Sequence, residues 1–301
     1  MAISQSILTT RRGAFRAIYR DLDRGRRLAA TPVVFCEGDS WFSTPLSMNL
    51  LDWLVYPAPE DAARGVPVFG GGGLFFRAER IGDTAEAMFG PRNVADLLRW
   101  YRGFEFDLVL LSAGGNDATG QFLLDLFAGE ADLGLDAALA RMRGSGIYPR
   151  VRQAYARFIA AFGAARPGTP ILAHTYDYPQ LIGVPARLTV ANVGAAALFK
   201  KGAGPWIVPG LRRALPDPAE QLAFAHTLID DFEREVLRPL REDPALPPVF
   251  DYVDLRGGLP SPDDWFDELH PTGAGFHTLA QRLRAAMQAR LPVEKGGRAA
   301  P

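Results

Sequence analysis

The chain has little of several things, and each shortage removes a class of function. Of 301 residues, only Cys36 is a cysteine. One thiol makes no intramolecular disulfide and no cysteine-based metal site. Inside an apolar run it reads as a buried, inert side chain. An excess of one charge is missing too: 33 basic against 34 acidic residues give a formal net charge of −1. No global field favours a nucleic acid or an anionic membrane as partner. No apolar run approaches the roughly 20 residues of a membrane-spanning helix. The first residues carry arginines but no continuous apolar stretch of the secretory kind. The expected location is therefore the cytoplasm, without stable membrane insertion. Histidine is scarce, and His174, His226, His270 and His277 fit no metal-ligand spacing. No metal or other cofactor is expected.

What is present suits a globular protein with a sizeable core: 48% of residues are hydrophobic and 22% charged. Apolar β-prone runs at 32–37, 74–80, 106–113, 169–174 and 249–255 predict strands. The run at 106–113 is almost continuously apolar, as in a parallel strand buried on both faces. Helical spacing predicts helices over 46–55, 94–101, 120–144, 147–162 and 219–237. A last helix is expected to start at Pro271, since proline suits the first helical position. This alternation predicts a doubly wound, mostly parallel sheet in three α/β/α layers.

No repeat or clear linker divides the chain, so one domain is expected across 1–301. Residues 1–30 read as an arginine-rich helical extension with Phe15, Ile18, Tyr19 and Leu22 on its apolar face. That helix is either a solvated edge element or a weak nucleic-acid or membrane contact. Residues 180–217 form an apolar, irregular insertion containing Trp206, either a lid or an excursion that completes the core. Residues 293–301 read as a disordered tail.

Polar groups gather at the strand ends. The first strand runs into Gly38-Asp39-Ser40, the third into Gly114-Gly115-Asn116-Asp117, and the fourth into Tyr176-Asp177. In a parallel sheet these ends share one edge, where such folds bind ligands. A serine hydroxyl needs a base before it can attack. His270 stands at a loop-to-helix junction with Asp267 three residues earlier, a spacing that lets the carboxylate reach the imidazole Nδ1 in a tight turn. His174, at a strand end, is the rival base. An oxyanion would find donors in the Ser40 backbone N–H, the Gly82 backbone N–H and the Asn116 amide. Each also has a plain reading: Asp267 as a helix-entry residue, and Asn116 and Asp177 as turn formers.

These segments resemble the SGNH, or GDSL-type, hydrolase family. The matching residues are Gly38-Asp39-Ser40, Gly82, Gly114-Gly115-Asn116-Asp117 and Asp267-Glu268-Leu269-His270-Pro271, in that order. Gly70–Gly73 competes with Gly82 for the glycine position. The resemblance implies a flavodoxin-like sandwich, commonly with five parallel strands. It also implies hydrolysis of a small-molecule acyl ester by a Ser40-His270-Asp267 triad, usually without a metal. An acyltransferase or thioesterase would use the same acyl-enzyme, and a non-catalytic ligand-binding member would keep the fold alone. Trp41 stands where the family commonly has leucine, and Phe42 excludes the Gly-x-Ser-x-Gly elbow. Trp41 and Phe42 either wall the acyl site or pack beneath it. With Asp177 and Trp206 they are the candidate substrate contacts.

Overall fold

A computed structural model describes residues 5–60, 72–78, 83–186 and 204–298. Six parallel strands form its sheet: β1 (Ile7–Thr9), β2 (Val33–Gly38), β3 (Leu74–Arg77), β4 (Leu108–Ser112), β5 (Ile171–His174) and β6 (Phe250–Val253). Their order is β1-β3-β2-β4-β5-β6. Every residue of β2 and β4 is buried. Such strands need apolar side chains on both faces, and the sequence supplies Val-Val-Phe-Cys and Leu-Val-Leu-Leu there. The chain leaves β2 for β3 on one side and then crosses back to β4 on the other. The end of β2 is therefore the switch point of the sheet, where a crevice opens.

The five commonly found strands become six here. The added strand, β1, pairs with β3 at the sheet edge within the stretch expected to be helical. Helix α1 (Arg12–Arg24) follows it. It buries Phe15 and Leu22, and Phe15 sits in an aromatic cluster with Phe76, Trp100, Phe104 and Phe106. Two of its outward arginines lie over the Trp100 ring, and one of these, Arg12, pairs with Asp96. The helix is an edge element packed on the body.

Along the chain come α2 (Ser40–Ser43), α3 (Leu50–Val55), α4 (Ala85–Met88), α5 (Pro91–Tyr101), α6 (Gln121–Leu126), α7 (Leu135–Gly144) and α8 (Ile147–Ala165). After β5 come α9 (Val208–Leu211), α10 (Pro218–Phe232), α11 (Arg238–Glu242) and α12 (Gly273–Gln288). Helix α3 packs on α12, and α5 on α8, giving the outer layers. Helix α10 ends at Phe232 in a π turn, Glu233–Leu237, rather than running unbroken to 237.

Two further expectations are corrected. The last helix starts at Gly273, two residues after Pro271. Thr272 is its N-cap and accepts from the Gly275 N–H at 3.1 Å, while Pro271 bridges to Trp265. A capping threonine typically contributes about 1 kcal/mol. The tail also packs: Val293–Lys295 makes a 3₁₀ turn, and Lys295 Nζ lies 2.8 and 2.9 Å from the Asp107 carboxylate oxygens. Only residues 299–301 of the expected disordered tail lie outside the described residues.

Candidate active site

Gly38 ends β2 opposite Ser112 of β4. A Cβ at Gly38 would sit 2.9 Å from the Ser112 Cβ and 2.8 Å from the Phe42 ring, so only glycine lets the two strands and α2 close up there. The ladder continues one residue further, with Asp39 N–H on the Ser112 carbonyl at 2.7 Å. The chain then turns into α2 with Ser40 as its first residue.

Asp39 caps that turn and braces it. Its buried carboxylate accepts from the Trp41 N–H at 3.0 Å, the Ser112 hydroxyl at 2.8 Å and the Tyr176 hydroxyl. Burial pushes this carboxyl up, and the three hydrogen bonds pull it back. Tyr176 in turn accepts from the Gly115 N–H at 3.1 Å. One phenol thus ties the serine turn to the Gly115–Ala118 turn after β4.

His270 comes from a loop that closes on itself. Phe266 N–H donates to the His270 carbonyl at 2.8 Å, and Asp267 Oδ1 accepts the Leu269 and His270 N–H groups, each at 2.8 Å. The imidazole Nδ1 lies 2.9 Å from both Asp267 oxygens, and Nε2 lies 2.7 Å from Ser40 Oγ. A carboxylate only accepts, so Nδ1 carries the proton and the Nε2 lone pair faces the serine hydroxyl. Trp41 Nε1–H donates to the Leu269 carbonyl at 3.1 Å, fastening the two loops together.

The rival base is placed elsewhere. His174 is buried with Nδ1 2.7 Å from the Thr175 carbonyl and Nε2 without a partner among the described residues. Burial lowers it to about 4. It stacks on Trp41, with ring centroids 5.6 Å apart, and packs on Phe42.

The chain is similar in fold to solved esterases and lipases. An extracellular lipase from Streptomyces rimosus is 14% identical, aligned over 86% of this chain and 100% of its own, with a TM-score of 0.49. A phospholipase A1 from Streptomyces albidoflavus is 16% identical over 87% and 100%, at 0.45. An inhibitor-bound aryl esterase from M. smegmatis is 16% identical over 87% and 100%, at 0.42. No protein-family model matches the chain, and no curated protein does.

Asn116 stands in the turn after β4 and lines the same cavity as Ser40. Its Nδ2 donates to the Asp83 carbonyl at 3.0 Å, which occupies one of two amide protons. The next residue, Asp117, is buried and accepts from the N–H groups of Ala85 at 2.7 Å and Glu86 at 3.2 Å. Burial raises its carboxyl to about 6 against those bonds. Residues 116 and 117 thus hold the 83–86 segment from both sides. Gly82 lies outside the described residues, as do Gly70 and Gly71.

A narrow cavity of about 70 Å³ extends from Ser40 and Asn116. Its walls are apolar: Ile147 and Val151 of α8, Leu228, Ile229 and Phe232 of α10, and Ile207 beside them. Trp41 reaches this wall but is nearly buried, held edge-on by Tyr176 and Phe276. Phe42 is wholly buried beneath the serine turn and is absent from the wall, so it packs rather than contacts substrate. Asp177 reaches the wall, yet its carboxylate is occupied by the N–H groups of Tyr178, Gly257 and Leu259 at 2.6–2.8 Å. It braces the loops, with two donors on Oδ1 and one on Oδ2. Trp206 meets the His270 ring edge-on, with centroids 5.5 Å apart, while its neighbour Ile207 lines the cavity.

Sequence reasoning missed two residues. Tyr176 was visible only as an aromatic closing a strand. Glu268 was visible only as a letter between Asp267 and His270. The one available signal for Glu268 is a second acid in a short stretch where one suffices.

Proposed function

We propose that this chain is a carboxylic ester hydrolase of the SGNH type, acting through an acyl-enzyme on Ser40. The observation that carries the reading is the run of contacts Asp267–His270–Ser40 at 2.9 and 2.7 Å. Ser40 Oγ attacks the acyl carbonyl carbon while His270 Nε2 takes its proton, and Asp267 stabilises the imidazolium formed. The tetrahedral intermediate carries its negative charge on the former carbonyl oxygen. The Ser40 N–H, the Gly82 N–H and the second proton of the Asn116 amide are its proposed donors. Collapse breaks the bond to the alkoxy oxygen, and His270 returns the proton to the leaving alcohol. Water, deprotonated by His270, then attacks the acyl-enzyme; the bond from the acyl carbon to Ser40 Oγ breaks, His270 returns the proton to Oγ, and the acid leaves.

The apolar cavity beside Ser40 supports an acyl group rather than a sugar or charged group on that side. Turnover of p-nitrophenyl acetate and butyrate tests the reading. Ser40→Ala and His270→Ala should each abolish it, and a fluorophosphonate should label Ser40 alone. Near wild-type turnover by either folded variant refutes the assignment.

A further inference from the structure

The loop that carries the base also carries a second buried acid, Glu268, fully enclosed and outside the proposed chemistry. Its Oε1 accepts from the Gly183 N–H at 2.9 Å and the Val208 N–H at 3.1 Å. Its Oε2 accepts from the Ile207 N–H at 2.6 Å and from the Trp206 N–H. The Glu268 N–H donates to the Val184 carbonyl at 3.0 Å. An ionised carboxylate offers about four acceptor sites, and four backbone donors fill them. Hydrogen bonds to a charged acceptor are roughly twice as strong as neutral ones. Gly183 and Trp206–Val208 belong to the two described ends of the 180–217 insertion, and one side chain gathers both.

Two of the residues so held face the site. Trp206 sets its ring edge-on to His270, and Ile207 forms part of the cavity wall. The backbone donor at each of them is bonded to the same Oε2. A shift of that carboxylate therefore moves the wall of the cavity and the packing on the base together. Its own position is fixed by its chain neighbours, since Asp267 and His270 are locked to each other on either side.

We infer that Glu268 is a positioning residue that sets acyl-chain selectivity by seating Ile207 in the cavity wall and Trp206 against the base. This rests on the hydrolase reading given above. Glu268→Gln replaces one acceptor oxygen by an NH₂ group facing backbone donors. Amide exchange at Trp206–Val208 should then quicken by about 10-fold or more, because a buried donor has lost its acceptor. Each methylene held against an apolar wall contributes about fourfold, so the butyrate-to-acetate ratio of kcat/KM should fall by about 4- to 15-fold.

Ile207→Ala keeps the carboxylate and its bonds. It should lower the same ratio while exchange at Trp206 and Val208 stays slow. A Glu268→Gln protein whose exchange and ratio both match wild type overturns the inference. So does an equal fall in acetate and butyrate turnover, which marks a merely structural role. If Glu268→Gln does not fold, an unchanged ratio in Ile207→Ala overturns it. The hydrolase reading fails separately: a wild-type protein that neither turns over esters nor labels at Ser40 refutes that reading and the selectivity with it, while amide exchange still reads the Glu268 contacts.

Discussion

Asp267→Asn isolates the electronic part of the site with little damage to its structure. The amide oxygen can still accept the Leu269 and His270 N–H groups that Oδ1 accepts at 2.8 Å. The NH₂ group then occupies the place of Oδ2, 2.9 Å from His270 Nδ1. An amide that donates to Nδ1 forces the ring proton onto Nε2. That proton points at Ser40 Oγ, 2.7 Å away, and the ring can no longer take the hydroxyl proton. The wrong tautomer in a serine triad costs about 10⁴-fold in kcat, the figure known for a serine protease. That equals about 5.4 kcal/mol of transition-state stabilisation. The assay is steady-state hydrolysis of p-nitrophenyl butyrate beside a urea denaturation curve. Asp267→Ala is the control, since it also strands the buried His270 N–H, at about 1–3 kcal/mol, and the part-buried Leu269 N–H, and should unfold sooner. A kcat within tenfold of wild type in folded Asp267→Asn refutes the proton placement and with it the assignment of His270 as base.

Other outcomes follow from the surrounding network. Tyr176→Phe removes a donor to Asp39 and an acceptor from Gly115, and should lower stability by about 1–3 kcal/mol in urea denaturation; an unchanged midpoint counts against the phenol as a tie between the two turns. His174, lowered from 6.5 to about 4, binds fewer protons folded than unfolded between those values, so its share of stability, about 3 kcal/mol, is present at neutral pH and lost as pH falls through the window. Asp117, raised from 3.8 to about 6, has the opposite sign: the folded state holds the extra proton, and about 3 kcal/mol is lost as pH rises through that window. The two slopes nearly cancel, so His174→Leu should give stability that falls from pH 4 to 6, and Asp117→Asn stability that rises. Parallel pH profiles for both variants would contradict the burial argument.

The central strands were legible because a strand buried on both faces must be written in apolar residues, as β2 and β4 are. The approach of His270 to Ser40 was legible because a glycine-bounded strand end and an Asp-x-x-His loop have short-range signatures. The edge strand β1 was not: three residues gain their identity only from pairing with β3, which no local pattern encodes. The start of α12 was misplaced because proline and threonine both mark helix entry, and the bridge from Pro271 to Trp265 decides between them. Tyr176 and Glu268 escaped, and the bracing role of Asp177 went unseen, for a common reason. Each meets groups brought from distant parts of the chain: backbone N–H groups 60 to 85 residues away for Glu268 and Asp177, and the Asp39 carboxylate 137 residues away for Tyr176. A buried acid that satisfies backbone donors looks, in sequence, like any other acid.

Asp267 and His270 sit three residues apart in one closed loop, whereas His270 and Ser40 are separated by 230 residues. The ordering cost of the first contact is that of a short turn, and of the second that of nearly the whole chain. The Asp267–His270 pair can align as soon as its own loop forms. The contact between His270 and Ser40 exists only once the end of β2 and the last loop have docked across the finished sheet. Covalent labelling of Ser40 during refolding therefore acts as a clock for the meeting of the two ends of the chain, and reactivity should return after helical and aromatic signals have recovered.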